Sequence, residues 1–425
     1  MMRKFVAASC LGLAVVWSLP AWANGDAVEE SLRALNERIK ELEQEVARLK
    51  QPEAPAAQAA DAEAPDASAL LNQRVTALED GLGLLKGIEF GGMAYASYNY
   101  NFNTPDSGGN DLRIFDVNHN DFTMDLLQLE VSKQTDSGIG FHTVLDYGKT
   151  AGLIQSDWGG DLAHNFEIQQ AYVTYTWGIG NGLDMQFGKF ATLLGGEVIE
   201  SPYNPNISRS FMFGYAIPFT HTGALFSYAL TDMLSLSAGV VNGWDNVADN
   251  NNGKTFLGSL GLEIGDLAWT FNGVYGAEDD DSGASKTGVF DTVLTYTPMD
   301  HVDFLINFDH GTASDVLGAK NAEWTGLSGI VSLGGGLLNP GWEKWSVALR
   351  GEWFSDDANY RTGAYDGDGN VNLWEITTTL KWAMSDNLQA RLEYRHDDAN
   401  RRVFGKDHRY KKSQNSMILE FAYLL

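Results

Sequence analysis

The chain has 425 residues, a formal charge of −27 at pH 7, eight histidines and one cysteine. So acidic a balance argues against nucleic acid as a partner. Beyond the amino-terminal segment no apolar run reaches the roughly 18 residues that a spanning helix needs, which excludes membrane helices but not spanning strands, whose polar half masks them in any hydropathy average.

Arg3 and Lys4 precede an apolar stretch from Phe5 to Leu19, then Pro20 and the small-residue pattern Ala21-Trp22-Ala23. This predicts a secretory signal over 1–23 with cleavage before Asn24. Cys10 lies inside it, after an apolar run too short for a lipoprotein signal, so the exported chain is expected to carry no disulfide.

From Val28 the apolar positions fall at spacings of four and three. With Leu32, Ile39 and Val46 at a, and Leu35, Leu42 and Leu49 at d, they form a heptad seam that predicts a coiled-coil helix over 24–50. Asp26 with Glu29 resembles a capping box at its start. The seam leads us to expect a homo-oligomer, dimer or trimer; a lone amphipathic helix lying on a surface is the competing account. Pro52, Pro55 and Pro65 break the heptads in an Ala/Pro-rich linker over 51–67. A second short helical seam through Leu71, Val75, Leu78, Leu82 and Leu85 occupies 68–87.

From Ile88 to Leu425 the pattern changes to strict alternation. Strands are expected near 88–102, 121–133, 139–150, 164–177, 183–190, 220–230, 233–242, 255–264, 267–277, 286–297, 301–311, 323–333, 344–355, 370–383, 387–397 and 415–425. Tight connections such as Thr135-Asp136-Ser137-Gly138 and Gly265-Asp266 alternate with long polar ones such as 103–120, 243–254 and 397–414. An even strand count with two loop lengths predicts an all-β fold, a transmembrane antiparallel barrel of about 16 strands in a Gram-negative outer membrane, with the amino-terminal helix in the periplasm. Its lipid face should include Ala171, Val173, Tyr175 and Trp177, then Leu234, Leu236, Ala238 and Val240, then Val302, Phe304, Ile306 and Phe308. Trp269, Trp324, Trp345, Trp353 and Trp382 are expected in an aromatic girdle. Gln170, Tyr172, Thr174, Thr176, Ser235, Ser237, Asp303, Asn307 and Asp309 should face a lumen too wide for side chains alone to plug.

The stretch GKFATLLGGEVIESPYNPNISRSFMFGYAIPFTHTGALFSYAL from Gly188, followed by GVVNGWD at 239–245, resembles the β-barrel porin-2 family of OmpL-like outer-membrane proteins. ASYNYNFNTPDS in the first strand and QQAYVTY at 169–175 share the resemblance, which implies a passive outer-membrane channel and names no solute. The chain ends in Leu425, where outer-membrane proteins usually end in Phe.

The one long connection rich in both charge and punctuation, 191–219, carries Glu197, Glu200 and Arg209 among Gly195, Gly196, Pro202, Pro205 and Pro218. It is expected to enter the lumen as the pore constriction. Arg350, Lys381, Arg391 and Arg395 form a ladder of inward cations that could set a transverse field against Glu197 and Glu200. Two alternatives stand beside it: a Glu197–Arg209 pair that pins the loop, and neutralisation of the ladder by Glu352, Glu375 and Glu393. The acidic groups at 278–281 and 366–370 lack metal-ligand spacing and read as solvated loop tips. The basic run from Arg401 to Lys412 reads as a solvated loop, with contact to lipopolysaccharide phosphates or the collection of anions as the alternative. The histidines form no catalytic constellation, and neither an enzyme, a cofactor nor a metal is expected. The alternative to a porin is an outer-membrane anchor whose stalk tethers to the cell wall or a periplasmic partner.

Overall fold

The computed structural model of the protein describes residues 87–156, 164–251, 253–278, 285–316, 320–364 and 369–425. The signal, the coiled-coil seam from Leu32 to Leu49, the linker and the second seam through Lys86 lie outside them. No helix among the described residues is long and apolar enough to cross a membrane.

The strands are β1 (Ile88–Asn101), β2 (Asp121–Gln134), β3 (Ile139–Tyr147), β4 (Phe166–Trp177), β5 (Leu183–Ala191), β6 (Thr220–Thr231), β7 (Leu234–Val241) and β8 (Thr255–Ile264). They continue as β9 (Leu267–Ala277), β10 (Lys286–Met299), β11 (Val302–Asp315), β12 (Lys320–Gly334), β13 (Trp345–Asp356), β14 (Val371–Ala383) and β15 (Leu388–Ala399). β16 (Phe404–Lys406) and β17 (Arg409–Lys411) pair with each other in the last long loop, and β18 (Ser413–Leu424) ends the chain. Sixteen strands, all but β16 and β17, close one antiparallel barrel in which β18 pairs β15 on one edge and β1 on the other. Among the described residues, three one-turn α-helices lie in connections: α1 (Lys149–Leu153), α2 (Phe211–Tyr215) and α3 (Gly335–Leu338).

Alternation decides the two faces. In β14, Val371, Leu373, Glu375, Thr377 and Thr379 are buried inside, while Trp374, Ile376, Leu380 and Trp382 face out. The expected outward residues Val173, Leu236, Val240, Phe304 and Ile306 are exposed, which for a barrel of this kind means exposed to lipid. In β4, Gln169 is an extra residue in the pairing with β3, so the inward parity changes from Glu167 and Gln169 to Tyr172.

Trp269, Trp345, Trp353 and Trp382 are outward, but Trp324 is not part of the girdle. It shares parity with Gly326 and lies inside, where its indole N–H donates to the Ala216 carbonyl at 3.0 Å. Gly311 makes room for it, since a Cβ there would sit 2.0 Å from the indole ring. Val302 keeps the outward parity of Phe304 and Ile306 but is covered, opposite Leu333.

The lipid-facing parity of β13 is directly testable. Leu349→Arg should cost about 2–4 kcal/mol in urea unfolding from vesicles if it lies near the bilayer midplane, whereas Leu349→Ile should be nearly neutral.

Candidate functional site in the barrel lumen

The connection between β5 and β6, 192–219, runs inside the barrel and is tied to the wall on several sides. Gly196 donates its backbone N–H to Asn307 Oδ1 of β11 at 3.0 Å. Glu200 Oε1 accepts from Gln128 of β2 at 3.0 Å and Gln169 of β4 at 2.8 Å. Ser201 donates to Glu420 Oε2 of β18 at 2.6 Å, and Asn206 to Thr379 of β14 at 2.7 Å. These contacts reach across the lumen.

The densest attachment is to β13–β15. Arg350 donates through Nε to Glu375 at 2.6 Å and through one terminal nitrogen, Nη1, to both Glu197 at 2.7 Å and the Ser208 carbonyl at 2.5 Å. Arg391 pairs with Glu420 and donates to the Asn204 carbonyl at 2.9 Å. Arg395 pairs with Asp397 at 2.6 Å, donates to the Arg209 carbonyl at 2.6 Å, and stacks 4.7 Å from the Phe211 ring. Carboxylates of the same wall take the loop's donors. Glu393 accepts the N–H groups of Ile207 and Ser208, and Glu352 those of Phe211 and Met212 at 2.7 and 2.6 Å. Glu352 and the Ser210 side chain, which accepts from Phe213, thus satisfy the free N–H groups at the start of α2.

Of the expected ladder, Arg350, Arg391 and Arg395 are at most 1% exposed, so they grip the loop and do not meet pore water. Lys381, opposite Arg391, is partly exposed. Glu197 is buried against Arg350, and Glu200 is partly exposed. Arg209 does not pair with Glu197. It donates to the carbonyls of Ile207 at 2.7 Å, Val198 at 3.3 Å and Ile199, and lies 4.5 Å from the Phe115 ring.

Two more long loops fold inward. In 102–120, Arg113 pairs with Asp116 and donates to Asp397 Oδ2 through Nε at 3.0 Å and a terminal nitrogen at 2.7 Å. In 400–412, Gly405 donates its N–H to Asp111 at 2.6 Å, while Val403 and Phe404 are buried. With Phe115, Ile199, Phe211, Met212, Phe213 and Ile217 they join one apolar cluster with inward residues of the wall, among them Leu225, Val241, Leu257, Val274, Val289 and Phe354. The half of the lumen nearest the long loops is therefore packed with side chains of the inward loops, which fill space that the strands alone leave open. Gly326 is what lets α2 lie so close: a Cβ there would meet Met212 at 2.3 Å.

The far end of the inner loop is held by Asp245, whose Oδ1 accepts from Phe219 and Thr220 at 2.7 and 2.9 Å. Burial pushes this carboxyl up to about 6 despite both hydrogen bonds. Beside it Arg361 lies 4.3 Å from the Trp244 ring and donates to the Tyr215 carbonyl at 2.6 Å. Among the described residues no group of three or more His, Cys, Asp or Glu is placed to hold a metal ion.

The family profile described as "Putative beta-barrel porin-2, OmpL-like" matches residues 87–425. The chain belongs to this porin family. No curated protein matches it in sequence. Among solved structures, an anion-selective porin from Comamonas acidovorans superposes with TM-score 0.55 at 10% identity, over 79% of this chain and 98% of that one. The trimer form of in-vitro folded OmpT from Vibrio cholerae gives 0.52 at 10% identity, over 79% and 98%. OmpF of Salmonella typhi, in complex with daunomycin, gives 0.52 at 9%, over 79% and 97%. At such identities the likeness concerns the fold, a closed porin barrel of the outer membrane.

Sequence parity marked Arg350, Arg391, Arg395 and the three interleaved glutamates. It gave no sign of Arg113 or Asp111, which lie in a loop without periodicity, nor of Gln128, Gln169 and Asn307 as anchor points. Glu420 was visible in principle as the acid on the inward side of the last strand.

Two outcomes test these assignments. Arg350→Met leaves Glu197 and Glu375 buried without their cation, so it should destabilise the barrel by about 3–5 kcal/mol and open 192–219 to protease in the folded protein. For Asp245, a folded pKa raised above the unfolded value means that the burial cost is absent below about pH 4 and fully present above about pH 6. Asp245→Asn should therefore be more stable than the wild type at pH 7, by on the order of 3 kcal/mol, and lose that advantage by pH 4 in parallel unfolding titrations.

Proposed function

We propose that this porin allows passive diffusion of small hydrophilic solutes or ions, with the loop 191–219 as its constriction. The observation that carries the reading is the seating of that loop across the lumen by hydrogen bonds, charged and neutral, from opposite walls. No chemistry is asked of the chain, so it acts as a channel and not as an enzyme. Because Arg350, Arg391 and Arg395 are spent on holding the loop, the field at the constriction falls to the partly exposed Glu200 and Lys381. Glu197 and Arg209 serve as internal struts. The protein assembles as a trimer, as the OmpT neighbour's trimer form suggests, with the seam from Leu32 to Leu49 joining protomers in the periplasm. The basic loop 401–412 meets lipopolysaccharide.

One observation favours a second reading. The apolar packing at the long-loop end would suit a barrel of low conductance that anchors a stalk reaching the cell wall or a periplasmic partner. Planar-bilayer recordings separate the two. A porin conducts with and without residues 24–86, whereas an anchor stays closed in both forms. Glu200→Gln should move the reversal potential toward anion preference and Lys381→Gln toward cation preference; if neither moves it, the charge assignment is wrong.

A further inference from the structure

On the outward wall, at the end of the barrel where short turns such as 232–233 and 265–266 join the strands, the β12–β13 connection is different. It runs over 335–344, begins with α3 and folds back on itself. Asn339 donates to the Gly335 carbonyl at 3.0 Å, Trp342 to Asn339 at 3.1 Å, and Trp345 to Trp342 at 2.9 Å. Gly335 permits the fold, since a Cβ would lie 2.2 Å from the Trp342 carbonyl oxygen. The result is a shelf standing off the wall.

Beneath the shelf lies a crevice of about 360 Å³ lined by Leu333, Gly335, Trp342, Trp345, Ser346, Val347 and Leu380. Its floor is a row fixed by register, Leu333 opposite Val347 and Val347 opposite Leu380, on three adjacent strands. Trp345 stacks on Trp382 at 5.5 Å with the rings 7° apart, forming one side. The size is within the range of small-molecule sites, roughly 300–1,000 Å³. Water is a poor occupant because the lining is almost wholly apolar.

Leu349, the next outward residue of β13, is exposed, as are Leu380 and Trp382 on β14, so the crevice opens onto the lipid-facing wall. It lies at the level of the aromatic girdle, where hydrocarbon gives way to headgroups. Glu343 and Lys344 stand exposed at the shelf's edge, one negative and one positive group in succession. That pairing complements a zwitterionic headgroup, with phosphate toward Lys344 and ammonium toward Glu343. Short turns mark the periplasmic rim of outer-membrane barrels, and the leaflet there is phospholipid.

We propose that the crevice holds one acyl chain of a phosphoethanolamine phospholipid, whose headgroup sits between Lys344 and Glu343. The site lies outside the lumen and stands or falls independently of conduction.

The test is native mass spectrometry of the full-length protein in mild detergent, titrated with palmitoyl-oleoyl phosphatidylethanolamine and, separately, with the phosphatidylglycerol of the same chains. One phosphatidylethanolamine should be retained per protomer. Val347→Trp and Leu380→Trp, made separately so that one assembly failure does not end the test, should each lower retention about tenfold. Leu236→Trp, on the lipid face of β7, should leave it unchanged. Glu343→Gln should lower the preference over phosphatidylglycerol. Wild-type protein that retains no lipid overturns the proposal, as do filled variants that retain it undiminished or a Leu236→Trp that loses it equally. It is also overturned if the filled variants change oligomer mass while lipid count holds, since the crevice would then seat a second copy.

Discussion

A chain that crosses a bilayer by strands must satisfy every backbone N–H and C=O within the hydrocarbon layer, and only closure of the sheet does so. Here closure is made by β18, whose register with β1 runs from Met93 opposite Leu424 to Asn101 opposite Ser416. Without that seam both β1 and β18 would be open edges in lipid. Everything else follows from the cylinder so formed: sixteen strands enclose a space that their own side chains cannot fill.

How that space is filled is the second physical problem. Arg350, Arg391 and Arg395 are nearly inaccessible to water, a costly arrangement unless each charge finds a partner and each remaining proton an acceptor. The inner loop supplies acceptors as backbone carbonyls at Asn204, Ser208 and Arg209, while Glu352 and Glu393 take its backbone donors. Neither wall nor loop is satisfied alone. The interlock therefore specifies one position of the loop more strictly than apolar contact would, because a shift of a residue strands charges in the interior. Apolar packing then works on top of this polar frame, with Met212 against Gly326 and Trp324 against Gly311.

Conduction has to coexist with this packing. The long-loop half of the lumen is dense, whereas the charges that remain partly exposed, Glu200 and Lys381, belong to the loop and to the wall beneath it. On the proposed reading as a channel, the field at the constriction rests on the few groups that the interlock leaves over. The outer surface has its own departure from regularity, at the shelf after β12, where an extended turn stands over an apolar crevice.

The alternation from Ile88 to Leu425 by itself determined the strand number, the strand positions to within a few residues, and the faces of most strands, because the two-residue period of a strand is written in each segment without reference to its neighbours. It also marked 191–219 as exceptional through its charges, prolines and glycines. Tertiary structure alone decided what those charges meet. Arg209 turned to the carbonyls of its own loop, Arg350 took Glu197, Trp324 went inside, and Arg113 crossed from the first long loop to Asp397 on β15. The last three pairings join residues 153, 108 and 284 positions apart, and no local period records them; they exist only once the barrel has closed and brought its walls within reach of the loops.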